Sequence, residues 1–171
     1  MDVEKQASGE LQKLGEMIGD IKFAMLTTVE EDGTPRSRPM QTLQMDAQGR
    51  LWFFTGISSP KVQEAMEHRK VCVAYARPDK QEFVSVSGGA RVVRDRAKMQ
   101  ALYTPFLKPW FPKGLDDPDL VLLAVQIEDA EYWDSPGNVA ARYFGLAKAI
   151  ATGDKDALGE NAKIHVGPTS V

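Results

Sequence analysis

The sequence predicts a small, mainly β (α+β) fold: an antiparallel barrel with helices at its periphery. Three observations carry this. The runs read in order as helix, three strands, helix, two strands, helix, loop, strand, helix. The first three strand-like runs are joined by short turns, "EEDGTP" (30–35) and "DAQGR" (46–50), which suit hairpins rather than helical crossovers. A doubly wound sheet would instead need a helix between successive parallel strands.

Each element has a local reason. Leu11, Leu14, Met17 and Ile18 share one face of a helix that Gly19-Asp20 ends. "FAMLTTV" (23–29) is a short strand, and Asp32-Gly33 is a tight-turn signal. "RSRPMQTLQM" (36–45) continues extended, with Pro39 marking an edge or a bulge because it cannot donate to a ladder. "LWFFT" (51–55) follows, and a hairpin meander would make it the neighbour of 36–45. Ser59 is a natural N-cap and Pro60 suits the first helical position of a helix reaching about Arg69. "VCVAYA" (71–76) and "EFVSVSGGARVV" (82–93) are strands, with Gly88-Gly89 expected at a bulge or close approach. A helix from Asp95 to about Tyr103 precedes an aperiodic loop, "TPFLKPWFPKGLDDP" (104–118). "DLVLLAVQIEDAEYWD" (119–134) is the last long strand. Val139, Tyr143, Leu146 and Ile150 then share a face of a helix closing at Gly153.

At 171 residues the chain is long enough for one substantial core, read as a domain over 1–153 and a loosely ordered tail over 154–171. An apolar content of 43% and a charged content of 26% are those of a soluble globular protein, expected in the cytoplasm. No apolar run has membrane-spanning length, and a net charge of −3 without a basic stripe argues against nucleic acid. The single cysteine excludes an intrachain disulfide and a thiolate metal cluster. Cys72, inside "VCVAY", is expected as a packed core thiol, and Trp52 and Phe53 as core or lid.

One stretch stands out, "FFTGISSPK" (53–61), where an aromatic strand runs into small hydroxyl residues and a lysine as a helix begins. A helix N-terminus offers unpaired N–H groups and a positive dipole end, so Thr55, Ser58, Ser59 and Lys61 suit an anion. The same residues also suit an ordinary capped helix with a solvated lysine. Arg36 and Arg38 form a second positive cluster, read either as a phosphate fork or as a charged edge that resists aggregation. There is no acid–base pair, nucleophile elbow, Gly-rich dinucleotide loop or metal-ligand spacing. An anion site with aromatic walls then fits a cofactor that brings its own chemistry.

These pieces resemble the flavin-binding split-barrel proteins related to pyridoxamine 5′-phosphate oxidase, and in particular their general-stress-protein branch. The matching residues are "RPM" (38–40), "FFTGISSPK" (53–61), "VSVSGGARVV" (84–93) and "YWDSP" (132–136), in the family's order over roughly residues 10–153. The resemblance implies an antiparallel split β-barrel and a homodimer with flavin mononucleotide (FMN) at the interface. It implies that Arg38, Ser59 and Lys61 hold the phosphate, with Thr55 and Ser58 assisting. The isoalloxazine ring would lie along Arg38, Pro39 and Met40, with Phe54 near its edge and Trp133 contributing from the last strand.

Two departures bear on activity. The oxidase's Arg-Leu-His signature after the tryptophan is absent from "SPGNVAARYF" (135–144), which weighs against pyridoxamine phosphate as substrate. Pro60 also stands where the oxidase carries a second basic residue. The resemblance therefore implies either a flavin-dependent oxidoreductase with a small-molecule electron donor and acceptor, or a non-enzymatic flavin-binding, redox-sensing stress protein.

Overall fold

The computed structural model describes residues 1–135, 139–153 and 159–166; for 139–145 it describes the backbone alone. Helix α1 (Gly9–Gly19) is capped by Ser8, whose hydroxyl accepts from the Leu11 N–H, and it buries Leu11, Leu14, Met17 and Ile18 as their spacing predicts. The short β1 (Asp2–Val3) precedes it and pairs in parallel with β4 (Gln44–Met45), a strand with no signal of its own in the sequence.

Strands β2 (Phe23–Val29) and β3 (Pro35–Gln41) form the first hairpin. The expected meander stops there, because the chain turns a corner at Thr42 and Leu43. Thr42 still donates to the Lys22 carbonyl on the β2 side, whereas Leu43 donates to the Trp52 carbonyl of β5 (Arg50–Gly56). The segment 36–45 is thus two strands in two parts of the sheet. The full set adds β6 (Lys70–Arg77), β7 (Glu82–Val93), β8 (Leu120–Asp134) and β9 (Glu160–His165). Their order is β1-β4-β5-β8-β7-β6-β2-β3, with β9 also on β8. β3 and β5 sit far apart along this path, and the sheet curls to form a split barrel.

Helix α2 (Pro60–His68) leaves β5 directly and packs on β2 and β7. The barrel interior holds Leu26, Phe53, Val73, Val86, Leu123 and Val125, closed by Leu14 and Ile18 of α1. A second cluster, Trp52, Phe54, Met99, Leu107, Phe111 and Leu122, lies on the other face of β5. It is covered by α3 (Arg96–Leu102) and the loop after it, which explains why "LWFFT" is buried throughout. Within that loop Phe111 is buried while Trp110 stays exposed beside Phe106.

The Gly88-Gly89 reading is accurate in detail. The β7–β8 register shifts between Ser87 and Gly88, and a side chain on Gly88 would overlap the Gln126 carbonyl. Two expectations need correcting. Cys72 is half-buried rather than in the core, because β6 turns Val71, Val73 and Tyr75 inward and Cys72 outward, where its sulfur lies 3.5 Å from the Ser85 hydroxyl. Within the segment expected to be loose, residues 160–165 form β9, paired antiparallel with Asp129–Asp134; 154–158 and 167–171 lie outside the described residues. On α4 (Val139–Thr152) Leu146 and Ile150 are exposed, and the side chains of Val139 and Tyr143 lie outside the described set.

Candidate anion-binding site

The site forms where the free edge of the sheet meets the start of α2. Backbone hydrogen bonds fix which groups of β3 face outward. Glu30 donates to Thr34, and Thr42 to Lys22, so the even-numbered residues of β3 exchange bonds with β2. Ser37, Pro39 and Gln41 therefore turn their backbone groups to the free edge. Pro39 is tolerated because the N–H it lacks would have made no ladder bond. Side chains alternate in the other sense: Arg36, Arg38 and Met40 share one face, with Met40 buried in the barrel.

Arg38 reaches α2. Its Nη1 and Nη2 donate to the two carboxylate oxygens of Glu64 at 3.0 and 2.9 Å, and Nη1 also donates to the Thr28 hydroxyl at 2.6 Å. Thr28 in turn donates to Glu64. Burial pushes the Glu64 carboxyl up, but the hydrogen bonds from Thr28 and Arg38 outweigh it, and the net position is below the usual carboxylate range. Glu64 had no signal in the sequence beyond its place one turn after Lys61. This end-on pairing leaves the Arg38 Nε without a hydrogen-bond partner among the described residues, on the side edge it shares with Nη2.

The turn into α2 is less open than a bare helix N-terminus. Ile57 donates to the Asp119 carbonyl at 2.7 Å, Ser58 to the Asp119 carboxylate at 2.9 Å, and Ser59 to the Gly56 carbonyl at 3.1 Å. Pro60 has no N–H. The Ser59 hydroxyl, read as an N-cap, donates back to Gly56 at 2.7 Å and makes no cap bond. It also lies 3.3 Å from the Thr55 hydroxyl. With the Ser59 hydrogen spent on Gly56, Thr55 is the donor in that contact, and what remains is the Lys61 N–H, the Ser58 hydroxyl and the Lys61 ammonium. Lys61 is half-buried, and among the described residues it has no ion-pair partner. Burial, then the charge of Arg38, holds it below the usual lysine range.

Thr55, Ser59, Lys61 and Arg38 thus converge, with Ser58 exposed at the rim. The others stand apart. The Phe54 side chain lies on the opposite face of β5 from Thr55, edge-on to Tyr103 at 6.4 Å between ring centroids. Trp133 pairs with Phe83 and Asn161 at the far end of β8, eleven residues beyond the Leu122 partner of Phe54. That is about 36 Å of extended chain. Most of "SPGNVAARYF" lies outside the described residues or has only its backbone described.

The geometry is that of a split barrel in which cationic side chains from an edge strand and from the start of a helix come together. Residues 9–157 match the family described as "Pyridoxamine 5'-phosphate oxidase like", and the chain belongs to that family. It is 26% identical over 163 residues to "Protein bli-3" of Neurospora crassa, covering 90% of this chain and 78% of that protein. A solved structure of a Clostridium acetobutylicum protein related to general stress protein 26 shares the fold at TM-score 0.68, with 22% identity over 91% of this chain and 94% of that one. A second, a general stress FMN/FAD binding protein of Xanthomonas citri, matches at TM-score 0.65 with 28% identity, over 77% of this chain and 94% of that one.

Removing Glu64 while keeping Arg38 strands a cation that is mostly buried. Glu64→Ala should destabilise the protein by about 3 kcal/mol, the low end for breaking a buried pair, since Arg38 keeps 21% of its side chain exposed. Urea unfolding checks this. A loss under about 1 kcal/mol would mean that the pair is not structural.

Proposed function

We propose that this protein binds FMN and works as a flavin-dependent redox protein, its phosphate held by Lys61, Arg38, Thr55, Ser58 and Ser59. The observation that supports this most is the half-buried Lys61 ammonium beside Arg38: Lys61 has no ion-pair partner among the described residues, while Arg38 pairs with Glu64 and lies 3.9 Å from the Glu30 carboxylate. Burying such a group without a partner costs free energy that an anionic ligand would recover. The donors left over fit a phosphate: the Arg38 Nε, the Lys61 ammonium and N–H, and the Ser58 hydroxyl, with Thr55 and Ser59 able to re-aim their hydroxyls. The Xanthomonas citri relative, described as binding FMN or FAD, points the same way.

The free edge of β3 suits the ring system. Its Ser37 and Gln41 N–H groups and its carbonyls lie open to a heterocycle with matching acceptors and donors, and Pro39 lets a flat ring approach without an intervening N–H. When bound, the flavin supplies the electron or hydride transfer to a small acceptor. The chain's part is to fix the phosphate, align the ring along Arg38–Met40 and exclude water. The outward residues of β3, Ser37, Pro39 and Gln41, include no acid or base. That favours either a reaction needing no protein proton donor or the alternative role of a flavin-binding sensor. Steady-state oxidation of NADH or NADPH by the flavin-loaded protein separates the two.

The reading also calls for a homodimer. The outer face carries an aligned row, Pro39–Met25–Ala74–Ser85–Glu131, and beside it the exposed Phe23, Phe83 and Trp133. A row that is mostly uncharged, flanked by exposed aromatics, suits a flat sheet-to-sheet contact. Such pairing would let Trp133, four strands away from β3 along the sheet of its own subunit, reach the partner's flavin. Among the described residues no helix is long and apolar enough to cross a membrane.

Two outcomes are expected. Lys61→Ala should weaken FMN binding by about 10- to 100-fold in a fluorescence titration, the worth of one charge-assisted hydrogen bond. Unchanged affinity would place the phosphate elsewhere. The wild type should sediment as a dimer and Met25→Asp as a monomer, since a charge would then enter the uncharged stretch Pro39–Met25–Ala74–Ser85 of the row; a wild-type monomer at high concentration would refute the dimer.

A further inference from the structure

We infer that Asp119 is a positioning residue for the phosphate site, holding the 56–59 turn in the shape that lets Lys61 and the hydroxyls meet one anion. This inference rests on the proposed FMN site and names the residue that shapes it. Asp119 lies just before β8, more than 60 residues from the turn in sequence, yet it takes up two consecutive N–H groups there. Its carbonyl accepts from Ile57 at 2.7 Å and its carboxylate from Ser58 at 2.9 Å. Asp117 braces it in turn, its carboxylate accepting from the Asp119 N–H at 3.1 Å.

The fit against Gly56 is close. A Cβ on Gly56 would overlap the Asp119 carboxylate, so the glycine is there to let this side chain lie against the backbone. With Ile57 and Ser58 tied down on the Asp119 side, the Ser59 hydroxyl closes on the Gly56 carbonyl and sits 3.3 Å from Thr55. The turn then presents the Lys61 N–H and ammonium on its other side, toward Arg38. The hydrogen bond from Ser58 also holds the Asp119 carboxyl below the usual carboxylate range, so it stays an acceptor at neutral pH.

The role needs an acceptor, whereas the negative charge itself works against a phosphate. This separates it from a simple electrostatic contribution. Asp119→Asn keeps an oxygen for the Ser58 N–H and removes the charge; Asp119→Ala removes both. A ligand without the phosphate is indifferent to the turn, so riboflavin is the control for any general loss of structure.

The test is to measure FMN and riboflavin affinities for wild type, Asp119→Ala and Asp119→Asn, with amide hydrogen exchange at Ile57 and Ser58 in the flavin-free proteins. Asp119→Ala should bind FMN about tenfold more weakly, bind riboflavin within about twofold of wild type, and exchange faster at Ser58. Asp119→Asn should restore both FMN affinity and Ser58 protection. The inference is overturned if Asp119→Ala keeps wild-type FMN affinity, if Asp119→Asn is as weak as Asp119→Ala, or if Ser58 exchange does not change. Wild type that binds riboflavin and FMN equally would instead refute the phosphate site itself, and the positioning role with it.

Discussion

The two-pronged contact between Arg38 and Glu64 is the interaction on which the rest of the site depends. It joins the last strand along the sheet path to the helix that follows β5, two elements that the strand order keeps apart. A curled sheet with an unpaired edge at β3 would otherwise expose a row of backbone groups that invites misassociation. Here the edge is tethered through its inward-facing side chain and its outer backbone groups remain free. The tether thereby holds β3 and α2 together beside the Lys61 cation.

The pairing also sets the electrostatics. Glu64 and Asp119 are internal anions, each bound to a donor that is thereby taken from a ligand: the end of the Arg38 guanidinium and the Ser58 N–H. The donors left to a phosphate are thus fewer than the residues suggest, but they are fixed in place. Preorganised donors lose less entropy when a ligand arrives than mobile ones do. Lys61 bears the remaining strain as a half-buried cation whose proton burial disfavours. With Pro60 in place of a second basic residue, the phosphate charge falls largely to Lys61 and Arg38.

Much of this was legible in the sequence where the governing physics is local. The helical spacing of Leu11, Leu14, Met17 and Ile18, the start of α2 at Pro60, and the bulge at Gly88 each follow from a few neighbouring residues. The convergence of Thr55, Ser59, Lys61 and Arg38 was readable as a resemblance, and their types suit an anion. Glu64 was not, because its pairing with Arg38 across 26 positions is created only by the fold. The same holds for Asp119, an acidic loop residue like its neighbours until the turn closes on it. The corner at Thr42 was hidden because an extended run looks alike whether or not it changes partners. Cys72 was misplaced since an apolar run does not say which of its alternating faces is inside. β9, with polar residues on its outer face, is a strand only because β8 offers it a free edge.

The most direct test of the account is the visible absorption spectrum of the protein purified without added cofactor, followed by mass analysis of what denaturation releases. The protein should be yellow, with the two absorption bands of an oxidised flavin, and should release flavin mononucleotide. A colourless protein that also fails to take up added flavin mononucleotide would contradict this, and the junction of β3 and α2 would then be an ion-paired joint that holds the split barrel together.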